Sequence, residues 1–326
     1  MNIGIIDSGN MGGLTMATMK AIRIHSYGDP DVLVYENAPL PKLGVGEVLI
    51  RVQDAGVNPV DWKVREGYLR DIHKLPKILG WDAAGIVEAV GPEVTGIETG
   101  SSVFAILDVA KDGAYAQYAT VAAFRVAPKP KTLNSTQAAA VPLAALTAWQ
   151  ALFDAAGLLP GQTVLIHAAA GGVGSFAVQL AKWKGAKVIA TASARNQDFL
   201  QELGADEVLD YNAVRFENTV RNVDVVFDTV GGDTQKRSWG VLKQGGFLVS
   251  IVSLLSPESY AAQGVQSQAV FLNPQPGQLA EIGKLIDAGH IKPMVNTVLP
   301  LAEARQAHEL SQGGHTRGKI VLHVGD

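Results

Sequence analysis

The stretch Ala169-Ala170-Gly171-Gly172-Val173-Gly174 decides the fold. Before it runs Thr163-Val164-Leu165-Ile166-His167, a β-branched and apolar segment that starts after the turn Pro160-Gly161 and reads as a buried parallel strand. After it, apolar residues at Val173, Phe176, Ala177, Leu180, Ala181 and Trp183 form a helical stripe. A second strand follows, Ala186-Lys187-Val188-Ile189-Ala190-Thr191. Glycines let backbone N–H groups approach a phosphate, and a helix N-terminus adds partial positive charge. Strand, glycine turn, helix and strand in this order are the context a dinucleotide site requires, even though Ala169 stands where G-x-G-x-x-G has its first glycine. Ala170, Gly171, Gly172, Val173 and Gly174 are therefore the expected pyrophosphate contacts.

A second glycine-rich stretch, Ile3 to Gly13, imitates this fingerprint, with Asp7 in place of the first glycine. A strand-turn-helix-strand unit needs about thirty residues. The next strand, Lys20 to Ile24, follows too soon for a crossover helix. Residues 1–18 are expected to be a disordered or non-native leader, with Met19 as the natural beginning. The stretch has no basic n-region and no sustained apolar core, so it does not read as a secretory signal.

Composition bounds the rest. The chain has 326 residues, enough for two domains with real cores. Its net charge of -4 argues against a general nucleic-acid binder and gives a membrane no basic patch. No apolar run reaches transmembrane length. Cysteine is absent, which excludes disulfides, cysteine-ligated zinc and thiolate catalysis. The seven histidines contain no H-x-x-x-H pair, so no metal site is expected. A cytoplasmic enzyme is the plain expectation.

Residues 20–140 are rich in short strands separated by glycine turns, which predicts a partly open barrel. From about residue 141 strands and helices alternate, the signature of a doubly wound parallel sheet. The expected class is α/β, with barrel residues 19–141 and 274–326 and nucleotide-binding residues 142–273. The tail, Lys319 to Val324, is β-like and is expected to return to the barrel. In an NAD site an acidic residue about 20 residues past the glycines holds the ribose. Here the second strand ends in Thr191-Ala192-Ser193-Ala194-Arg195, with no acid at its tip. Ser193 and Arg195 suit a 2′-phosphate, which points to NADPH.

Several stretches together resemble the medium-chain dehydrogenase/reductases, in their zinc-free quinone and enone (alkenal) reductase branch. They are Gly56-Val57-Asn58-Pro59-Val60-Asp61-Trp62-Lys63, Leu79-Gly80-Trp81-Asp82-Ala83-Ala84-Gly85, Val141 to Ala148, His167 to Gly174, Leu203-Gly204-Ala205-Asp206 and Gly318-Lys319-Ile320-Val321. The resemblance spans about residues 20–326 and implies a GroES-like barrel joined to a Rossmann sheet. Zinc alcohol dehydrogenases need a cysteine where Asn58 stands and Gly-His-Glu where Gly80-Trp81-Asp82 stands. Without a Lewis acid, hydride donation to an electron-poor carbon is easier than alcohol oxidation. The resemblance thus implies NADPH-dependent reduction of a quinone or conjugated carbonyl, and a homodimer built through the last strand of the sheet.

It also implies roles for single residues. Asn58 and Lys63 are the expected catalytic donors, aimed at the carbonyl oxygen as charge builds there, or else at the ribose hydroxyls; the plain alternatives are a helix cap for Asn58 and a surface charge for Lys63. Thr147 is expected at the nicotinamide, with a helix-terminal hydroxyl as its bland alternative. Tyr211 is expected beside the 2′-phosphate. Val230, Val252 and Phe271 lie at strand ends, where such folds bind their ligands, with Phe271 on a strand Ala269 to Leu272. Asp61 is read as a cap, Trp81 and Asp82 as structural, and Arg317 and Lys319 as surface charges. Two other functions fit the same residues. One is a cofactor-binding sensor or structural protein with little catalysis. The other is an enoyl reductase for carrier-bound acyl chains, which would need a long groove or basic patch not evident in the sequence.

Overall fold

The computed structural model describes residues 17–261 and 264–325. Six strands form an all-parallel sheet in the order Glu207–Asp210, Lys187–Ala192, Thr163–Ile166, Val223–Asp228, Leu242–Ser250, Gln266–Ala269. Numbered along the chain, that order is the doubly wound 3-2-1-4-5-6. Its apolar strands are buried on both faces. Leu165, Ile189, Val226 and Leu248 pack on one side with Trp239 and Val241. Their neighbours Val164, Ile166, Val188, Val225 and Phe227 face the other side, against Phe176, Ala177 and Leu180 of the helix Gly172–Trp183. Side chains alternate along a strand, so a strand covered twice must be apolar throughout.

The other half is antiparallel in the main. Seven strands include Val295–Pro300, Lys319–His323, Glu47–Val57, Asp82–Val90, Ser102–Ile106 and Val126–Pro128 in that order, with Tyr118–Ala122 beside Glu47–Val57. The two end strands of that path do not pair with each other, which leaves the GroES-like barrel partly open. A three-stranded sheet, Leu33–Pro39, Thr18–Ile24 and Lys77–Ile78, packs alongside. The tail does return to the barrel: Ile320 faces Val57 and His323 faces Asp54. Among the described residues no helix is long and apolar enough to cross a membrane.

Two expectations change. The first strand of the three-stranded sheet starts at Thr18, and the Ala17 carbonyl accepts the Leu40 N–H, so residues 17 and 18 belong to the half that holds the barrel. The glycine-rich stretch Ile3 to Gly13 and the rest of residues 1–16 lie outside the described residues. The last sheet strand is Gln266–Ala269, not Ala269 to Leu272. Its partner strand stops at Ser250, opposite Ala269; the Val270 N–H still donates to the Ser250 carbonyl at 2.8 Å, and no ladder is left for Phe271 and Leu272. The chain there is held by Gln150 instead. Its amide grips the Asn273 backbone at both ends, donating to the carbonyl at 2.7 Å and accepting the N–H at 3.1 Å.

Candidate active site

The glycine turn is built by close approach. Its strand ends where Ala168 turns with φ +47°, and the Ala169 N–H donates to the Thr191 carbonyl. A Cβ on Gly174 would stand 2.5 Å from the Ala168 carbonyl oxygen. No side chain fits there. Gly171 caps the twelve-residue helix Gly172–Trp183. The N–H groups of Gly172, Val173 and Gly174 lie in its first turn, where helical geometry gives them no partner, and no other described residue takes them. These are vacant donors at a helix N-terminus, the arrangement a pyrophosphate needs. The Ala170 carbonyl accepts the Gly318 N–H at 2.8 Å and so ties the turn to the barrel.

Farther along the sheet, Ser193 and Tyr211 follow adjacent strand ends. The Tyr211 N–H donates to the Ala192 carbonyl at 3.1 Å, and its ring is exposed. Arg195 is exposed and donates to the His315 carbonyl at 2.9 Å. Arg317 donates to Asn196 Oδ1 at 2.9 Å and to the Arg195 carbonyl at 3.0 Å. Two guanidinium groups thus gather at a strand tip that lacks a carboxylate.

Across from the turn, a cleft of about 180 Å³ is lined in part by Asn58, Gly171, Gly172, Val173, Gly318 and Lys319. Asn58 sits at the N-cap of the helix Pro59–Arg65, yet its amide oxygen and nitrogen go elsewhere. Nδ2 donates to Asp82 Oδ2 at 2.9 Å, and Oδ1 accepts from the Lys319 ammonium. The Asn58 backbone N–H donates to Asp61 Oδ2 at 2.7 Å. The Tyr115 hydroxyl donates to the same oxygen at 2.7 Å. Burial pushes the Asp61 carboxyl up to about 7 against the pull of these two donors. Its other oxygen has no hydrogen-bond partner among the described residues. Asp82 is also raised by burial, while Lys319 and Asn58 pull it down.

This floor corrects two sequence readings. Lys319 is no surface charge: it is 4% exposed and its ammonium lies 3.3 Å from Asp82 Oδ2. Asp82 does more than fill space, because it joins Lys319, Asn58 and the Leu143 N–H. Lys63 does not join Asn58. It is exposed, with its ammonium over the Trp62 ring, because it points away from the side of the helix that packs on the barrel. A lysine opening an otherwise apolar strand, and an aspartate in the apolar text Trp81 to Ala84, were the available signals. Trp81 itself is core, as expected.

Thr147 is the sixth residue of the helix Pro142–Trp149, so it is not a terminal hydroxyl. It is 6% exposed and its hydroxyl bonds to no described residue. Val230 is half exposed beside the Asp228 turn, and a Cβ on Gly231 would stand 2.9 Å from Val252 Cγ2. Phe271 is not packed against the protein. It is 71% exposed, because its neighbours Val270 and Leu272 take the inward positions. Among the described residues no three His, Asp or Glu side chains gather as a metal site.

Residues 44–131 match the family described as alcohol dehydrogenase GroES-like domain, and residues 203–322 that described as zinc-binding dehydrogenase. The chain is 35% identical to a 2-methylene-furan-3-one reductase of Solanum lycopersicum, over 94% of this chain and 79% of the relative. It is 32% identical to a quinone oxidoreductase of Mus musculus, over 93% and 97%. The solved quinone oxidoreductase of Coxiella burnetii superposes with a TM-score of 0.88 at 36% identity, covering 94% of this chain and all of that one.

Proposed function

Because the chain belongs to the medium-chain dehydrogenase/reductase superfamily, in the branch of the quinone and enone reductases, we propose that it uses NADPH to reduce a quinone or α,β-unsaturated carbonyl without zinc. It is a nicotinamide-dependent oxidoreductase with a small-molecule substrate. The observation that carries the finer reading is one cleft with vacant helix N–H groups on one wall and the Asn58 amide on the other. The positions that hold zinc in alcohol dehydrogenases carry Asn58 and the buried Trp81, neither of which suits the metal.

When bound, reduced nicotinamide supplies a hydride to the electron-poor carbon. The first-turn N–H groups of Gly172, Val173 and Gly174 hold the pyrophosphate. Ser193, Arg195 and Tyr211 receive the 2′-phosphate, and the Thr147 hydroxyl is free to meet the nicotinamide amide. Asn58 donates to the substrate oxygen as negative charge grows there. Lys63 stands four residues from Pro59, on the same helix face, and Pro59 lines the cleft. From that position Lys63 is proposed as a second donor, its ammonium swinging from the Trp62 ring to the mouth. The last proton, to the α-carbon, comes from water.

The test is a panel of quinones, 2-alkenals and alkenones with NADPH and NADH, together with metal analysis of the purified protein. Turnover with NADPH, at least about tenfold tighter NADPH than NADH binding, and no stoichiometric zinc are expected; tenfold corresponds to about 1.4 kcal/mol, within reach of one charge-assisted contact. Arg195→Ala should erase most of that preference, and tighter NADH binding by the unmutated protein would sink the NADPH reading. Lys63→Ala should lower turnover more than NADPH affinity. Cofactor binding with no turnover on any substrate would turn the reading to a sensor. The homodimer is part of the proposal: Gln266–Ala269 is the outermost strand of its sheet, with one edge unpaired among the described residues. A monomer in sedimentation removes it.

A further inference from the structure

Lys319 carries a buried charge into the cleft floor and spends it entirely on the protein. Its ammonium donates to the Val57 carbonyl at 2.9 Å, to Asn58 Oδ1, and toward Asp82 Oδ2 at 3.3 Å. Three N–H donors meet three acceptors, so none is left for a ligand. The consequence falls on Asn58. With its oxygen against the cation and its nitrogen 2.9 Å from the Asp82 carboxylate, the amide has one tolerable orientation. The opposite flip sets NH₂ against ammonium and oxygen against carboxylate, two repulsions in a buried, low-dielectric place.

The frame around this amide is rigid. Asp82 Oδ1 accepts the Leu143 N–H at 2.7 Å, which ties the carboxylate to the helix Pro142–Trp149. Asp61 fixes the Asn58 backbone from below. Gly172 leaves room for the lysine stem, since a Cβ there would stand 2.9 Å from Lys319 Cδ. That is a reason for glycine at 172 besides the phosphate. One Nδ2 hydrogen of Asn58 goes to Asp82; the other has no partner among the described residues, and Asn58 lines the cleft.

We propose that Lys319 is a positioning residue: with Asp82 it locks the Asn58 amide so that one N–H is always presented to the reacting carbonyl. This rests on the quinone and enone reading above. The experiment is a double-mutant cycle of Lys319→Met and Asn58→Ala, with NADPH and whichever enone or quinone the unmutated protein turns over. Each single variant is expected to lose kcat on the order of 100-fold, at the low end of the range for removal of one preorganised donor, with NADPH affinity changed less than about threefold. The double variant should lose no more than either single one, because both remove the same donor. Independent, multiplying losses overturn the proposal, and so does a Lys319→Met loss confined to NADPH affinity. If Lys319→Met alone does not fold, Lys319→Met with Asp82→Asn removes both charges together and should lose kcat equally.

A second readout needs neither turnover nor a variant. In the nuclear magnetic resonance spectrum of the unmutated protein, the two Asn58 amide hydrogens should exchange with solvent at rates differing about tenfold or more, as expected for one bonded and one free N–H. Equal rates overturn the lock even in an active enzyme. Unequal rates with no turnover overturn the reading of the reaction and leave the lock standing.

Discussion

Two fully buried aspartates, one in each half of the molecule, do opposite things. Asp228 ends a strand of the parallel sheet. Its Oδ1 accepts the N–H groups of Val230 and Gly231 at 3.1 and 2.8 Å, and its Oδ2 accepts from Gln235 and Ser250 at 2.7 and 2.8 Å. All four donors are neutral and come from the strand ends and helix beside it. Asp82 begins a barrel strand and takes donors from three distant segments: Asn58, Leu143 and the ammonium of Lys319. The first carboxylate folds a turn. The second closes a circuit across the cleft and sets the direction of a polar group there. A buried charge answered by neutral donors is scaffold, whereas one answered by another charge fixes orientation at some cost in stability.

Replacement of each carboxylate sharpens the contrast. Asp82→Leu should have the largest effect, about 3–5 kcal/mol of unfolding free energy, because it strands the Lys319 ammonium without a counter-charge. Adding Lys319→Met should return part of that loss; in urea titrations, no recovery would deny that the pair is coupled. Asp228→Leu strands neutral donors only, at about 1–3 kcal/mol for each one left without a new partner, and no single cation removal should recover that loss. Recovery of the Asp228→Leu loss by removal of one cation would reverse the comparison.

The smallest effect is in pH dependence. Folded Asp61 keeps its proton up to about 7, whereas an ordinary aspartate loses it near 3.8. Between these values the folded state binds more protons, so this group's contribution falls as pH rises. In the nucleotide half the sign is reversed. Burial drives His167 down to about 4 from 6.5, and its contribution rises with pH over that span. Asp61→Asn removes only the falling part. Melting temperatures of the variant and the unmutated protein should draw apart from pH 4 to pH 7, in favour of asparagine, by about 3 °C or more. Parallel curves would mean that Asp61 is ionised throughout.

The nucleotide half was legible because its signals are local. A strand buried on both faces must be continuous apolar text, and the turn Ala169 to Gly174 must lack bulk, so Thr163 to Trp183 announced themselves. Val223–Asp228 was readable for the same reason, down to its ends. Asn58 stands out in the sequence as a polar residue of the site, but its partners do not. Lys319 lies 261 residues from it in sequence, and a lone lysine is on base rates a solvated charge. The displaced strand at Gln266–Ala269 failed similarly. Its polar residues gave no pattern, and its register is set by where Leu242–Ser250 stops. What one segment imposes on its own backbone can be read along the chain; what two remote segments impose on each other cannot.

The link between Gly171 and Gly318 has a mechanical meaning. There the glycine turn and the returning tail form a β-bridge, and the Gly318 N–H donates to Ala170. The same tail holds the rim of the second strand: the His315 carbonyl accepts from Arg195, and Arg317 donates to the Arg195 carbonyl. One short segment, residues 315–319, therefore fastens the barrel to the glycine turn, to the second strand tip and to Asn58 at once.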